Sequence, residues 1–302
     1  MASTSCLWAV LGFLAADKVG GRQGGWHDCK WPPTFLGMDA VWQILVEFLF
    51  RLTFGVAVSM ALTPSRLVTS GFFRIHLWVL LGIGTFAVPA IYTARHLSAA
   101  DASGLWWWQL GMAVGCAVVS YVGAVIWMYE AARPGKAAIW LVAALALIGM
   151  LLPLAERAEG ITILGTLDRI TGSLVLGSIT TAMLLGHWYL NTPSMKLVPL
   201  QRLVIFMGIA IVARMLLGGL CAGLEAHRLS LSGNLSTSWL VFLSLRWLAG
   251  LLGTLGLAWM TWLTLKIPNT QSATGILYAA MILAFIGELT AQLMSVRGGY
   301  PL

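Results

Sequence analysis

Charged residues are scarce in this sequence. Asp, Glu, Lys and Arg make up only 10% of its 302 residues, whereas hydrophobic residues make up 59%. Soluble globular domains carry about 25% charged residues, so a protein of this composition is not suited to water as its main solvent. The net charge of +7 is spread over the segments between hydrophobic runs, which indicates membrane topology rather than nucleic-acid binding.

Motifs for hydrolysis, nucleotide binding and cysteine-held cofactors are also missing. The chain contains no GxxxxGK[ST], HExxH or GxSxG pattern and only 11 acidic residues. Its four cysteines form no CxxC or CxxCH, which argues against a zinc ribbon, a ferredoxin-type iron–sulfur run and covalently attached c-type haem. We therefore expect no metal site in this chain apart from the haem considered below.

Long hydrophobic runs, in contrast, recur eight times. One helical crossing of a lipid bilayer needs about 20 apolar residues, and runs without two-residue alternation indicate helices rather than a barrel. The predicted spans are 41–62, 75–94, 106–129, 137–155, 170–190, 203–225, 239–264 and 274–295. We therefore predict an all-α polytopic membrane bundle. Residues 1–40 form an N-terminal extension, either flexible or upstream of the true start.

The two halves of the hydrophobic region resemble each other. Thr63-Pro64-Ser65 follows the first span, and Thr192-Pro193-Ser194 follows the fifth. Leu-Ala-Leu-Ile-Gly at 145–149 in the fourth span is echoed by Leu-Ala-Phe-Ile-Gly at 283–287 in the eighth. Matches in this order predict a tandem repeat of two four-helix units, 41–165 and 166–302, related by an axis along the membrane normal.

Positive residues between the spans indicate an orientation. Side A is the side on which the first span begins, and side B is the opposite side. Side B carries seven Arg or Lys: Arg66, Arg74, Arg133, Lys136, Lys196, Arg202 and Lys266. Side A carries five beyond the extension: Arg95, Arg157, Arg169, Arg228 and Arg297. The positive-inside rule then predicts side B in the cytoplasm and both termini outside, in a bacterial cytoplasmic (inner) membrane.

Five Glu and Arg residues lie well inside the predicted spans, away from the span ends: Glu47, Arg51, Arg214, Arg246 and Glu288. Each costs about 2.5–3.5 kcal/mol at the bilayer centre on insertion scales. At 1.5 Å per residue, all five lie in a layer roughly 9–17 Å below side A. Glu47 and Arg51 share a helix face through their i, i+4 spacing, as do Glu288 and Gln292. The sequence therefore predicts one buried polar cluster in the side-A half of the bundle.

Two interpretations of this cluster stay open. Internal ion pairs that only hold helices together would explain it, because buried pairs can fix helix register. The cluster is unequal between the two halves, since Met150 stands at the repeat position of Glu288, and this asymmetry favours a binding site instead. Guanidinium groups donate to carbonyl oxygens and a buried glutamate can carry a proton, and a quinone headgroup needs both. Small anions or a proton-coupled solute would suit the same groups. We therefore predict Glu288 and Glu47 as proton-handling residues and Arg51, Arg214, Arg246 and Gln292 as ligand-binding residues.

Two histidines are candidate ligands for a second cofactor, a b-type haem. His76 begins the second predicted span and His187 lies near the end of the fifth, both on side B. A same-side pair of this kind is typical of b-type haem ligands in helical bundles. Otherwise His187 is an interfacial hydrogen-bonding residue.

Two similar four-helix units with polar groups in one half resemble the NrfD/DmsC/PsrC-type quinol-interacting membrane anchor subunits. The segment Ile286-Gly287-Glu288-Leu289 is similar in character to acidic late-helix segments of that family, and the resemblance covers residues 41–296 as architecture. It implies quinone or quinol as ligand and redox partner subunits of the iron–sulfur, molybdenum or cytochrome type. The chain would then be the quinone-interacting part of an oxidoreductase complex. A proton-coupled secondary transporter and a structural or assembly subunit of a membrane complex remain as alternatives.

Overall fold

A computed structural model describes residues 38–97, 104–155, 162–192, 195–232, 237–267, 269–297 and 301. Within these ranges eight helices are long and apolar enough to cross a membrane, and no strand occurs. The predicted all-α bundle of eight spans is therefore confirmed, and the chain is an integral membrane protein. Residues 1–37 of the predicted extension lie outside the described residues.

The helices follow the hydrophobic runs with extended ends. They are α1 (Met38–Leu62), α2 (Ser70–Leu97), α3 (Leu105–Met128), α4 (Ala132–Ala155), α5 (Ile163–Asn191), α6 (Val198–Ser232), α7 and α8 (Thr270–Arg297). Helix α7 has three consecutive parts: α-helical Thr237–Leu245, π-helical Arg246–Gly253 and α-helical Thr254–Lys266. Helices α1, α3, α5 and α7 begin on side A, and the other four end there.

Each half of the chain forms a closed ring of helix contacts. Helix α1 packs on α2, α2 on α3, α3 on α4, and α4 returns to α1. The same order of neighbours joins α5 to α6, α6 to α7, α7 to α8, and α8 to α5. Helices α1 and α5 pack on each other and connect the two rings. The tandem duplication stays a prediction. A duplicated four-helix unit would have the same order of helix neighbours in both halves.

The contact between α1 and α5 is made by two glycines. A Cβ added at Gly55 would collide with the backbone oxygen of Ser173, and one added at Gly177 would collide with the backbone of Gly55. Small residues at a crossing let two membrane helices approach backbone to backbone. Side chains one to two turns nearer to side A on α1 and α5 are therefore held close together.

The start of α5 differs from its predicted position. The hydroxyl of Thr162 accepts a hydrogen bond from the backbone N–H of Gly165 at 3.1 Å, which satisfies a donor that the first helical turn leaves unpaired. The helix therefore begins at Ile163 rather than at residue 170. As a result, Asp168 and Arg169 lie inside the membrane helix.

Lys136 connects α4 to the side-B end of α1. Its Nζ donates to the backbone oxygens of Ala61 and Thr63, both at 2.7 Å. The last turn of a helix leaves carbonyl oxygens without a partner in the helix itself. Lys136, expected in a side-B loop, therefore lies inside α4 and caps α1.

Candidate functional site

Six charged side chains on α1, α5, α6 and α8 form one network of ion pairs in the side-A half of the bundle. Five of them are at most 3% exposed, and the sixth, Glu47, has a side chain that is 20% exposed. The members of this ion-pair network are Glu47, Arg51, Asp168, Arg169, Arg214 and Glu288.

The α1–α5 end of the network centres on Glu47. Its Oε1 accepts hydrogen bonds from Arg51 Nε at 3.0 Å and Arg51 Nη2 at 2.5 Å. Arg169 donates from Nε to Oε1 at 3.0 Å and from Nη2 to Oε2 at 2.9 Å. One carboxylate thus pairs a guanidinium of its own helix with a guanidinium of α5, about two turns nearer to side A than the helix contact made by Gly55 and Gly177.

The other end joins α5 to α6 and α8. Arg214 binds Glu288 with two parallel hydrogen bonds, 2.8 Å from Nε to Oε1 and 3.0 Å from Nη2 to Oε2. Its Nη1 donates to the carboxylate of Asp168. Arg51 connects the two ends of the network. Its Nη2 donates a 2.9 Å hydrogen bond to Asp168 Oδ2, and its Nη1 lies 3.7 Å from Glu288 Oε2.

Gly172 of α5 has no side chain, and this leaves space for the Glu288 carboxylate and the Arg51 guanidinium to approach each other. A Cβ added there would lie 2.5 Å from Glu288 Oε2 and 2.9 Å from Arg51 Nη1. A larger residue on this face of α5 would therefore push the carboxylate of α8 away from the guanidinium of α1.

The network is electrically balanced, with three carboxylates for three guanidinium groups. Removing one partner of a buried pair typically costs about 3–5 kcal/mol, because the remaining charge is left uncompensated. The network joins α1 of the first ring to three helices of the second ring. These contacts give it a structural role of its own, whatever the site binds.

Arg246, at the start of the π-helical part of α7, is a fourth guanidinium in this layer. It is 1% exposed, and none of its three side-chain nitrogens makes a hydrogen bond within the described part of the chain. A Cβ added at Gly218 on α6 would lie 2.8 Å from Arg246 Nη2, one turn from Arg214. π-Helical turns in membrane and soluble helices occur frequently at functional sites.

Gln292 on α8 is a second buried polar side chain near Arg246. It is 4% exposed, and neither its Oε1 nor its Nε2 makes a hydrogen bond among the described residues. Helices α7 and α8 touch at Gly250 and Gly287, where a Cβ added at Gly250 would lie 2.5 Å from Gly287 Cα. Arg246 and Gln292 each lie about one turn towards side A from this contact, on antiparallel helices. They therefore occupy the same level, beside Glu288.

A small apolar layer covers this level on side A. Its buried members are Cys221 and Ala222 of α6 and Met294 of α8, with Leu217, Trp239, Leu243 and Leu164 packed against them. The polar groups below are therefore separated from the side-A surface by apolar side chains. We refer to Arg246, Gln292 and the adjacent Glu288 as the Arg246 site.

The structure brings together four of the charged residues named from the sequence, Glu47, Arg51, Arg214 and Glu288, and places Arg246 and Gln292 beside them. Sequence reasoning missed Asp168 and Arg169. The assignment of Arg169 to a side-A loop was wrong, because α5 begins earlier and buries this side chain to 3% exposure against Glu47. Adding one acid and one base leaves the predicted excess of one arginine unchanged, so the charge balance gave no signal for either residue.

The two candidate haem ligands lie in different surroundings. His76 is 2% exposed, its Nδ1 lies 2.5 Å from the backbone oxygen of Phe72, and its ring packs on the Phe72 ring. His187 is exposed on α5. Among the described residues no group of three or more His, Cys, Asp or Glu is arranged to hold a metal ion. The haem pair stays a prediction.

An apolar groove of about 630 Å³ lies between α6 and α7, nearer to side B. It is lined by residues such as Val204, Gly208, Leu252, Trp259 and Trp262. An isoprenoid tail and a lipid acyl chain would fill such a groove equally well, so the groove does not identify a ligand.

Comparison of the chain with protein-family models, with curated proteins and with solved structures found no match. The resemblance to quinol-interacting anchor subunits therefore stays a prediction. Any inference about function rests on the residues of the Arg246 site and the ion-pair network.

Proposed function

We propose that this chain is the membrane subunit of an electron-transfer complex that binds quinone or quinol at the Arg246 site. One observation carries the proposal: a buried guanidinium and, level with it, a buried amide have no hydrogen bond to any polar side-chain atom among the residues that the structure describes. Buried polar groups in membrane proteins normally have partners, and those without one mark ligand sites.

The chemistry of these groups suits a quinone headgroup. The guanidinium of Arg246 and the Nε2 of Gln292 donate, so each can bind a quinone carbonyl oxygen. The Oε1 of Gln292 accepts and can bind a hydroxyl of the quinol. Reduction of the quinone consumes two electrons and two protons, so the site also needs a route for protons.

Carboxylates of the ion-pair network supply acceptors along such a route. Glu288 lies one turn from Gln292 on α8, and Arg214 and Arg51 connect it to Asp168 and then Glu47. The side chain of Glu47 is 20% exposed, whereas those of Glu288 and Asp168 are 3% and 5% exposed. We assign the transfer of protons to Glu288 and Glu47. Arg51 and Arg214 then hold the carboxylates in place rather than contact the ligand.

Electrons require a partner. In this proposal a redox subunit of the iron–sulfur, molybdenum or cytochrome type docks on side A, nearest to the Arg246 site. Arg169 is buried in the bundle and leaves the count, which then has four positive residues near side A against seven near side B, with Lys136 at the side-B end of α4 among the seven. The positive-inside rule then favours side B in the cytoplasm of a bacterial inner membrane, with the partner outside.

The direct test is gentle purification of the complex in mild detergent. Mass spectrometry identifies co-purifying subunits, and solvent extraction with a reduced-minus-oxidised spectrum detects bound quinone and haem. We expect redox subunits and quinone with wild type. Arg246→Gln should lose the quinone, whereas Arg202→Gln, an exposed arginine of α6, should retain it. A colourless chain without partners or quinone contradicts the proposal.

A proton-coupled secondary transporter is the second candidate, and the π-helical part of α7 favours it. Transporters use interrupted helices beside their substrate sites, and Arg246 begins such an irregular segment. Proteoliposomes that contain only this chain distinguish the two functions. Solute-driven proton uptake without any redox partner would support transport.

A further inference from the structure

We infer that the Arg246 site holds its ligand as a monoanion, and that it therefore prefers an ionised hydroxyquinone to a neutral quinone of the same shape. The inference rests on the proposed function for the quinone ring, whereas the charge preference follows from the buried groups themselves.

The first step is the charge count of the buried layer. Three carboxylates and three guanidinium groups of the ion-pair network balance. Arg246 adds one positive charge without a hydrogen-bonded carboxylate in the part of the chain that the structure describes. The next buried acid on α6, Glu225, pairs with Arg228 at 2.5 Å, about two turns nearer to side A than Gly218. One negative charge on the ligand would balance the layer.

The second step is the surroundings of Arg246. The guanidinium is 1% exposed, and the apolar layer of Cys221, Ala222 and Met294 lies between it and side A. Water screens charges weakly in such a place, so a charge on the ligand has a large effect on its affinity. Hydrogen bonds between ionised partners are also roughly twice as strong as bonds between neutral ones.

The third step is the shape of the donor set. Gly218, which has no side chain, lets the Nη2 of Arg246 pack close to α6, and Gln292 places a second donor group at the same level on α8. An oxyanion beside a carbonyl group, as in an ionised 2-hydroxyquinone, presents two adjacent acceptors to these donors. A neutral methoxyquinone presents only one carbonyl and an ether oxygen there.

The test measures the affinity of the purified complex for two probes, 2-hydroxy-1,4-naphthoquinone, which is ionised at neutral pH, and its neutral 2-methoxy analogue. We expect the ionised probe to bind about tenfold more tightly or better. Arg246→Gln should abolish this preference, and Arg246→Lys, which keeps the charge, should retain most of it. Arg202→Gln serves as the matched control for loss of one positive charge.

The outcomes separate the inference from the proposed function. If both probes bind equally and Arg246→Gln weakens both equally, the inferred preference for an anionic ligand is overturned and the quinone site at Arg246 stands. If the preference persists in Arg246→Gln, the charge responsible lies elsewhere and the inference is overturned. If neither probe binds the wild-type complex, both the inference and the proposed function fail.

Discussion

Arg214 and Arg246 lie beside each other in one buried layer, but carboxylates surround the first and no hydrogen bond reaches the second within the described residues. Both side chains are at most 1% exposed. We therefore expect different changes in the free energy of unfolding when the two guanidinium groups are removed, although both are equally buried.

Arg214→Met should destabilise the protein strongly, and Arg246→Met should not. The first change leaves Glu288 and Asp168 without their main partner, which costs about 3–5 kcal/mol. The second removes an unpaired buried charge and should leave the unfolding midpoint of the ligand-free protein unchanged or raise it. Unfolding of both variants in detergent by SDS titration provides the comparison. Equal losses of stability would show that Arg246 is paired in the native protein.

Glu47 and Arg169 should be energetically coupled across the α1–α5 contact. Because Arg169 donates two hydrogen bonds to Glu47, each single change to Gln leaves a buried group unsatisfied. The double variant Glu47→Gln/Arg169→Gln should be less destabilised than the sum of the singles by about 0.5–3 kcal/mol. A double-mutant cycle on the unfolding midpoint measures this term. Strict additivity would mean that the pair does not form in the bilayer.

Gly55→Ala should destabilise the protein, whereas Gly82→Ala should not. A Cβ at Gly55 collides with the backbone of α5, and a Cβ at Gly82 meets nothing within 4 Å. Overpacking of this kind costs about 1–3 kcal/mol, and alanine at an open helical site gains up to about 1 kcal/mol. Thermal unfolding of the two variants in nanodiscs gives the result. A neutral Gly55→Ala would mean that α1 and α5 lie further apart than described.

Gly218→Ala should weaken ligand binding while leaving every charge in place. The new methyl group would lie 2.8 Å from Arg246 Nη2 and displace the guanidinium. Gly223→Ala is the matched control, because it lies on the same helix and its Cβ meets nothing within 4 Å. Affinity for the ionised naphthoquinone should fall about tenfold in the first variant and stay unchanged in the second. Unchanged binding in both would place the ligand away from Arg246.

Hydropathy was sufficient for the fold, since eight long apolar runs can satisfy their backbone groups in lipid only as helices. It failed at the start of α5, where Thr162, Thr166, Asp168 and Arg169 lower the local hydropathy below that of a span. Asp168 and Arg169 are tolerated there because partners on α1 and α6 satisfy them, whereas the two threonines bond within the first turn of α5 itself. A property that depends on contacts distant in sequence is invisible to a sliding window.

The candidate site was predictable to the extent that buried charge is expensive. The cost of Glu47, Arg51, Arg214 and Glu288 in lipid required that they meet, and the equal depths of these residues indicated where. Which arginine would remain without a carboxylate could not be read from the chain. The answer depends on the positions of Asp168 and of the π-helical part of α7. Neither position can be predicted from hydrophobic periodicity or from the depth of a residue in its span.

The ion-pair network also constrains how the protein is made. Arg51 precedes its partner Asp168 by 117 residues, and Arg214 precedes Glu288 by 74. At a synthesis rate of about 5–20 residues per second, α1 waits roughly 6–23 seconds for α5. During that time the charges of α1 must be sheltered by the insertion machinery or by each other. The ion-pair network is therefore complete only when α8 leaves the ribosome and supplies the carboxylate of Glu288.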